Sequence, residues 1–237
     1  MTDPNCLTDY QIPSDAVIVI GRQFGSGGRT IGHEIACRLG IDYYDTEVFA
    51  EASRRLGLNP EIFYDHDEKK PSLLRTLMQG AFGIADNFHF VPLNGELIYQ
   101  EQSRVIRDVC KKGPCVIVGR TADCILAGEP HLFSVFLHAP LDHRVNNILR
   151  RREALSKTEA RDLALKQDKK REAYYNFYRG ENKWGTATNY HLTVDTSLLD
   201  TENAASLIIQ AFLSRIKSES NHRHHKTEMR SVAPFKR

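Results

Sequence analysis

The sequence predicts an α/β fold in which a parallel β-sheet is flanked by helices. Three apolar runs, at residues 16–20, 115–118 and 132–137, have the composition of strands buried on both faces. A glycine-rich turn over residues 21–28 follows the first run, and a helical pattern follows the turn. Repeated strand–turn–helix units of this kind build parallel sheets, which bind ligands at the carboxyl ends of their strands.

The remaining elements follow in chain order. The first helix is predicted over residues 30–39, because its apolar side chains share one face and Gly40 ends the pattern. Residues 46–112 are predicted to be mostly helical, and this insert is too long for a simple crossover, so we expect it to cover the site. The further predicted strands are 41–44, 115–118, 132–137 and 190–195, and the further predicted helices are 140–152, 156–179 and 201–216.

Composition excludes several classes of protein. Hydrophobic residues make up 41% and charged residues 26% of the 237 residues, as in folded globular proteins. No apolar run in the first strand region approaches the roughly 18 residues of a membrane helix, and residues 1–15 lack the basic cluster of a secretory signal. Five cysteines without CxxC spacing argue against a disulfide scaffold or a zinc site. We therefore expect a cytoplasmic protein without a membrane partner.

The net charge of +2 is concentrated at the C-terminus, where residues 218–237 carry five basic and two acidic side chains. The rest of the chain is close to neutral and provides no broad positive field, so no nucleic-acid partner is expected. The tail is polar and aperiodic, which predicts disorder. Its histidines, His222, His224 and His225, are interpreted as solvated residues rather than metal ligands.

The glycine-rich turn is the strongest functional signal. It reads Gly-Arg-Gln-Phe-Gly-Ser-Gly-Gly-Arg-Thr from Gly21 to Thr30 and lies between a strand and a helix. Glycines let backbone N–H groups approach phosphate oxygens, and a helix N-terminus favours an anion, so we predict a phosphate-binding loop rather than a turn without a ligand. The predicted phosphate-binding residues are Gly25, Ser26, Gly27, Gly28, Arg29 and Thr30.

The turn departs from the pattern Gly-x-x-x-x-Gly-Lys-Ser/Thr because it contains no lysine. One alignment places Arg22 at the first glycine and Gly28 at the lysine. An alignment shifted by one residue places Gln23 and Arg29 at these positions. In both alignments Arg29 is the nearest cation in sequence, and an arginine reaches phosphates differently from a lysine.

Several segments, in the same order and at similar spacing, resemble the cytidylate kinase-like family of nucleoside monophosphate kinases. They cover about residues 16–213 and are Ile20–Arg29, Ile41–Asp45, Val116–Asp123, Asp168–Arg171 and Tyr190–Ser197. The resemblance implies a P-loop-type sheet, with ATP and Mg²⁺ as cofactors and phosphoryl transfer to CMP or dCMP. It also implies one domain over residues 16–217 between an N-terminal extension (1–15) and the tail, with a monophosphate-binding insert (about 46–112) and a lid (about 153–189).

The resemblance also implies roles for individual residues. Arg29, Arg120, Asp168 and Arg171 would be catalytic, Asp45, Arg120 and Asp123 would bind the acceptor, and the hydroxyl of Thr30 would face magnesium-bound water. The alternatives are ordinary ones: Asp45 as a helix cap, Arg120 as a surface arginine, and Asp168 with Arg171 as a surface ion pair. The aromatic residues between 174 and 178 are predicted to pack rather than to stack on a base.

Three positions differ from the pattern of the family, so two functions remain open. The lysine is absent, Val118 stands where the family has an aspartate, and Glu51 stands where it has an arginine. One function is an ATP-dependent nucleoside monophosphate kinase. The other is a nucleotide-binding regulatory protein that keeps the fold with weak or no turnover. The sequence does not determine the oligomeric state.

Overall fold

The structure is a computed structural model that describes residues 12–45, 95–179 and 183–231. Its centre is a five-stranded sheet in the order β2-β3-β1-β4-β5, and every neighbouring pair of strands is parallel. The strands are β1 (Val17–Arg22), β2 (Asp42–Tyr44), β3 (Cys115–Val118), β4 (Leu132–His138) and β5 (Leu192–Asp195). The predicted parallel α/β sheet is therefore confirmed.

Helices cover both faces of this sheet. They are α1 (Gly28–Leu39), α2 (Gly95–Cys110), α3 (Ala122–Ile125), α4 (Leu141–Arg151), α5 (Lys157–Arg179) and α6 (Thr201–Ser231), with a short 3₁₀ turn at Ala187–Asn189. Within the described residues, no helix is both long enough and apolar enough to cross a membrane.

Alternating side chains of β1 separate two hydrophobic layers. Ile18 and Ile20 pack with residues of α1 and α6, whereas Val17 and Val19 pack with residues of α2. All four side chains are buried because a central parallel strand is covered on both faces. A third, smaller apolar cluster joins α4 to α5 and includes Phe24 from the turn after β1.

The C-terminal helix is longer than the sequence predicts. We expected the helix to end at residue 216 and a disordered tail from residue 218, but α6 continues through Ser231. The segment between these points contains neither glycine nor proline, so no residue interrupts the helical backbone before Pro234.

Some predictions fall outside the described residues. These are residues 1–11 of the N-terminal extension, residues 46–94 of the insert together with Glu51, and the last six residues of the tail.

Candidate active site

The turn between β1 and α1 has the geometry of an anion-binding loop. Gly25 has a φ of 85°, and a Cβ atom there would lie 2.7 Å from the carbonyl oxygen of Arg144, so both backbone angle and space require glycine. Gly27, the N-cap of α1, accepts the bond from the N–H of Ile31 at 3.0 Å. The N–H groups of residues 28–30 therefore lie in the open first turn of the helix.

The charge at this helix end suits an anion. The first turn of α1 contains no acidic residue and carries the cation of Arg29. A cation at a helix N-terminus is repelled by the positive end of the helix dipole. A bound anion would interact favourably with both the cation and the dipole.

The loop is fixed to α4 and α5 by polar contacts. The carboxylate of Asp168 accepts the N–H of Phe24 at 2.6 Å and pairs with Arg144 Nη1, also at 2.6 Å. Arg144 also donates to the carbonyl of Phe24 at 3.1 Å, and Asn147 donates to the carbonyl of Gly25 at 3.0 Å. These bonds hold the turn in one conformation before any ligand binds, which is preorganisation of a binding loop.

A cleft of about 380 Å³ opens over the loop. Its described lining contains Gly25, Gly27 and Gly28 but no aspartate or glutamate. Six arginines line the cleft, and they come from five different parts of the fold. They are Arg22 of β1, Arg29 of α1, Arg120 after β3, Arg151 and Arg152 at the end of α4, and Arg171 of α5. Such a concentration of guanidinium groups over backbone N–H donors favours a polyphosphate ligand.

Asp45 joins two of these arginines at the end of β2. Its carboxylate lies 2.5 Å from Arg29 Nε and 3.8 Å from Arg22 Nη2. Only 7% of the Asp45 side chain is exposed, against 59% for Arg29 and 11% for Arg22. Asp45 therefore contacts cations beside the loop, and the helix cap considered from sequence would involve residues after 45, which lie outside the described residues.

Arg120 is held in a strained backbone conformation. Arg120 and Thr121 have φ angles of 65° and 50°, in the left-handed region that side chains other than glycine rarely adopt. The Arg120 carbonyl accepts the buried Gln102 Nε2 at 2.9 Å and the Thr121 hydroxyl at 2.6 Å, and these bonds maintain the conformation. Such strain, of order 1–3 kcal/mol per residue, is characteristic of functional sites. The buried Arg120 faces the cleft and is not the surface arginine of the alternative interpretation.

Arg171 lies on the inner face of α5. Its Nη1 donates to the carbonyl of Arg22 at 3.2 Å, and its guanidinium carbon lies 5.4 Å from the centre of the Phe24 ring. Asp168, one turn earlier on α5, pairs with Arg144 and is absent from the described lining of the cleft. From sequence, both Asp168 and Arg171 were predicted to be catalytic. In the structure, the contacts of Asp168 with Phe24 and Arg144 fix the loop to α4 and α5.

A second, smaller cavity of about 40 Å³ adjoins the cleft. Arg22, Arg120 and Arg171 line both spaces, so they lie between them. Asp123 lines the smaller cavity and accepts the hydroxyl of Tyr175 at 2.9 Å. Burial raises the pKa of Asp123, and the Tyr175 hydrogen bond and Arg179 offset part of this change. Burial also raises the pKa of the Tyr175 phenol.

The predicted aromatic packing on α5 is seen at two residues. Tyr175 is buried, and the Tyr178 ring stacks on Tyr99 of α2 with ring centres 3.8 Å apart. Trp184, after α5, packs edge-on against Phe136 of β4 at 5.2 Å.

Two predicted loop residues have other contacts. The N–H and the hydroxyl of Ser26 both donate to the carbonyl of Gln23, at 3.3 and 2.9 Å, so this residue closes the turn instead of presenting donors to a ligand. The Thr30 hydroxyl is exposed and accepts Arg151 Nη2 at 2.7 Å.

Sequence reasoning missed several residues of the site. Arg22 was placed at a glycine position of the motif and received no role. Arg151 and Arg152 end α4, where basic residues ordinarily complement the helix dipole. Arg144, Asn147 and Gln102 carry no sequence signal, because only their tertiary partners give them a role.

Within the described residues, no group of three or more histidine, cysteine, aspartate or glutamate side chains is arranged to hold a metal ion. Beside the first turn of α1, the Asp45 carboxylate, which pairs with Arg29, and the Thr30 hydroxyl, which accepts Arg151, carry oxygen atoms that could ligate a cation. This donor set fits a cation that takes most of its ligands from phosphates and water, as Mg²⁺ does, rather than a complete protein cage.

A sequence model of the cytidylate kinase-like family matches residues 17–198, which is most of the chain. The chain belongs to the cytidylate kinase-like family. The match begins at the first residue of β1 and ends just after β5, so it includes the sheet, the loop and α5. The family expected from the motifs is thereby confirmed.

Individual proteins are similar to this chain over most of its length. The chain is 28% identical over 192 residues to a cytidylate kinase from Aeropyrum pernix, a match that covers 78% of this chain and 92% of the relative. It is similar in structure to an uncharacterised protein from Eubacterium ventriosum, with a TM-score of 0.59, 25% identity, and 83% and 98% of the two chains covered. Shikimate kinase from Acinetobacter baumannii, solved with shikimate, matches with a TM-score of 0.45 at 16% identity over 89% and 98% of the chains.

Proposed function

We propose that the protein transfers the γ-phosphoryl group of ATP to a nucleoside monophosphate, with CMP or dCMP as the preferred acceptor. The observation that carries the proposal is the arginine-lined cleft over the glycine-rich loop, with a second cavity adjoining it. Membership of the cytidylate kinase-like family supports a kinase. The name of the relative from Aeropyrum pernix supports the choice of acceptor.

The donor phosphates are proposed to bind in the larger cleft. Gly25, Gly27 and Gly28 bring backbone donors to the phosphates, and Arg29 contacts them from the rim. Arg151 and Arg152 line the same cleft from the end of α4. Converging cations stabilise the charge spread over the transferring phosphoryl group.

The acceptor is proposed to lie toward the second cavity. Arg120 would hold its monophosphate because the strained backbone fixes this side chain at the boundary of the two spaces. Asp123, on α3, lines the second cavity, and Asp45, after β2, pairs with Arg22 at the boundary. Residues 46–94 lie outside the described residues, and their part in acceptor binding stays a prediction from the resemblance.

Magnesium is the expected cofactor. Asp45 and the Thr30 hydroxyl are the groups that would hold it, together with the phosphates and water. When bound there, the ion would supply positive charge that offsets the negative charge of the phosphates. The protein residues would orient the two nucleotides and, with the lid predicted at about 153–189, exclude water from the reacting phosphate.

A coupled assay of ADP release tests the proposal. The enzyme is supplied with ATP, Mg²⁺ and, in separate reactions, CMP, dCMP, UMP, AMP and GMP. We expect the highest kcat/KM with CMP or dCMP. A higher kcat/KM with AMP or GMP would refute CMP or dCMP as the preferred acceptor, but it would still support a nucleoside monophosphate kinase. No turnover with any acceptor, together with calorimetric binding of ATP, would support the regulatory protein.

A further inference from the structure

Arg22 has a position that its sequence context does not reveal. It is the last residue of β1, and 11% of its side chain is exposed. A Cβ atom at Gly119, which follows β3, would lie 2.7 Å from Arg22 Cζ. Gly119 has a φ of 82°, so glycine is required there both for the backbone and to leave room for the guanidinium. The Arg22 guanidinium therefore lies across the carboxyl ends of β1 and β3, next to Arg120.

The stem of Arg22 occupies the space beside Gly28. A Cβ atom at position 28 would lie 2.8 Å from Arg22 Cγ and 3.0 Å from Arg22 Cβ. A side chain at position 28 and the observed side chain of Arg22 therefore exclude each other. In one of the two alignments of the loop, position 28 is the lysine and position 22 is the first glycine. Relative to that pattern, the protein has Gly28 at the lysine position and Arg22 at the position of the first glycine.

The charge of Arg22 is directed to the boundary of the two cavities. Arg22 lines both of them, as Arg120 and Arg171 do. Its Nη2 lies 3.8 Å from the Asp45 carboxylate, and its carbonyl accepts Arg171 Nη1 at 3.2 Å. By contrast, 59% of the Arg29 side chain is exposed at the rim. The better buried of the two arginines is thus the one between the donor and acceptor spaces.

From these contacts we infer that Arg22 is a catalytic residue that replaces the missing loop lysine, contacting the phosphoryl group while it passes from donor to acceptor. The inference rests on the proposed function, and it assigns to Arg22 the role that sequence order alone gave to Arg29. A guanidinium donates two parallel hydrogen bonds to phosphate oxygens, and its charge does not titrate in the physiological range.

A positional exchange of the cation tests the inference. Arg22→Gly removes the cation and the atoms that would collide with a side chain at position 28. Gly28→Lys restores the lysine of the usual pattern but collides with the Arg22 stem. We expect Arg22→Gly to lower kcat about 10²–10³-fold, as loss of one preorganised donor does. We expect Gly28→Lys alone to be impaired as well, and the double variant to recover at least tenfold over either single variant.

Two further variants separate charge from folding. Arg22→Gln keeps most of the stem and loses the charge, and it should lower kcat as Arg22→Gly does while the unfolding temperature stays close to that of the parent. Arg161→Gln is the matched control, because Arg161 is half-exposed on α5 and pairs at 3.6 Å with the exposed Asp142. It should leave kcat and KM unchanged. Arg22→Gln with kcat within about threefold of the parent, or a double variant no better than both single variants, would overturn the inference.

Binding measurements distinguish this failure from failure of the proposed function. If the parent protein turns over no monophosphate, calorimetry with a non-hydrolysable ATP analogue replaces kcat as the measurement. Weaker binding by Arg22→Gln but not by Arg161→Gln, with recovery in the double variant, would still place Arg22 at the phosphates. Unchanged binding by Arg22→Gln would exclude it from the phosphate site.

Discussion

Two largely buried carboxylates that the sequence placed in the site, Asp168 beside the glycine-rich loop and Asp123 beside the second cavity, have different partners. Asp168 pairs with Arg144 at 2.6 Å and accepts the N–H of Phe24. Beside the smaller cavity, Asp123 accepts the hydroxyl of Tyr175 at 2.9 Å. Burial raises the pKa of both carboxyl groups, and the Phe24 N–H and Arg144 oppose this change at Asp168.

The difference shows that a buried acidic residue near a site is not by itself a catalytic group. Asp168 is enclosed by a backbone N–H and a guanidinium, so its contacts suit fixing the loop to α4 and α5. Asp123 borders a cavity and accepts a hydrogen bond from the phenol of Tyr175, and burial raises the pKa of both groups. Four predictions test this contrast and the arginines between the two spaces.

The largest effect is expected for Asp168→Ala. Removing one partner of a buried ion pair leaves the Arg144 charge uncompensated, which costs about 3–5 kcal/mol in the free energy of unfolding. Urea denaturation measures this change. Asp142→Ala is the control, because the exposed pair of Asp142 with Arg161 contributes less than about 1 kcal/mol. Equal losses in both variants would contradict the anchoring role of Asp168.

Arg171→Ala is expected to act on turnover rather than on folding. Arg171 lies between the two spaces and is proposed to stabilise the transferring group, so kcat should fall about 10²–10³-fold. The coupled assay gives kcat, and thermal unfolding shows whether the fold is retained. A fall in stability with kcat retained would instead make Arg171 a packing residue against Phe24.

A smaller effect is expected for Arg29→Ala. Its side chain is 59% exposed and pairs with Asp45, and it is proposed to contact the donor phosphates only from the rim of the cleft. Loss of a contact of about 1.4 kcal/mol corresponds to a tenfold fall in kcat/KM. Steady-state kinetics with ATP as the varied substrate measure it. A fall in kcat/KM as large as that expected for Arg22→Gln would indicate that Arg29, rather than Arg22, replaces the missing lysine.

The smallest effect is expected for Asp123→Asn, and it depends on pH. The pKa of Asp123 is raised on folding, so its contribution to stability is full below the unfolded value, near 3.8, and is lost as pH rises through the folded pKa. The asparagine cannot ionise, so the variant should gain stability relative to the parent as the pH rises from about 3.8 toward neutral pH. Urea denaturation across this range measures the difference in the free energy of unfolding between the variant and the parent. If this difference decreases with increasing pH, the folded state stabilises the ionised carboxylate, which contradicts the prediction.

Much of the fold was predictable because it depends on local patterns. The apolar run 115–118 became β3 with the predicted bounds, and residues 156–179 became α5 with one residue fewer at the start. The end of the helix after β5 was harder to predict, because residues 218–231 lack apolar periodicity and also contain neither glycine nor proline. Periodicity indicates which face is buried, and it says little about where an exposed helix ends.

The candidate site was predictable in part. Gly25, Gly27, Gly28, Arg29, Arg120 and Arg171 line the predicted cleft, whereas Ser26 closes its own turn and Asp168 anchors the loop. A glycine-rich turn has a local signature, so it can be recognised in sequence. The direction of a long side chain cannot be predicted from sequence, because an arginine can extend to many positions around its backbone until neighbouring elements restrict it.

The sequence by itself determined the parallel α/β sheet, the position of the anion-binding turn and membership of a kinase-like family, because strand burial, glycine spacing and motif order are properties of the linear chain. Only the tertiary structure decided which cations meet between the two cavities. Arg22 and Arg120 come from β1 and from the end of β3, strands that are separated in sequence and paired in space. The space left by Gly28 and Gly119 lets Arg22 cross between them, and that space exists only after the sheet has formed.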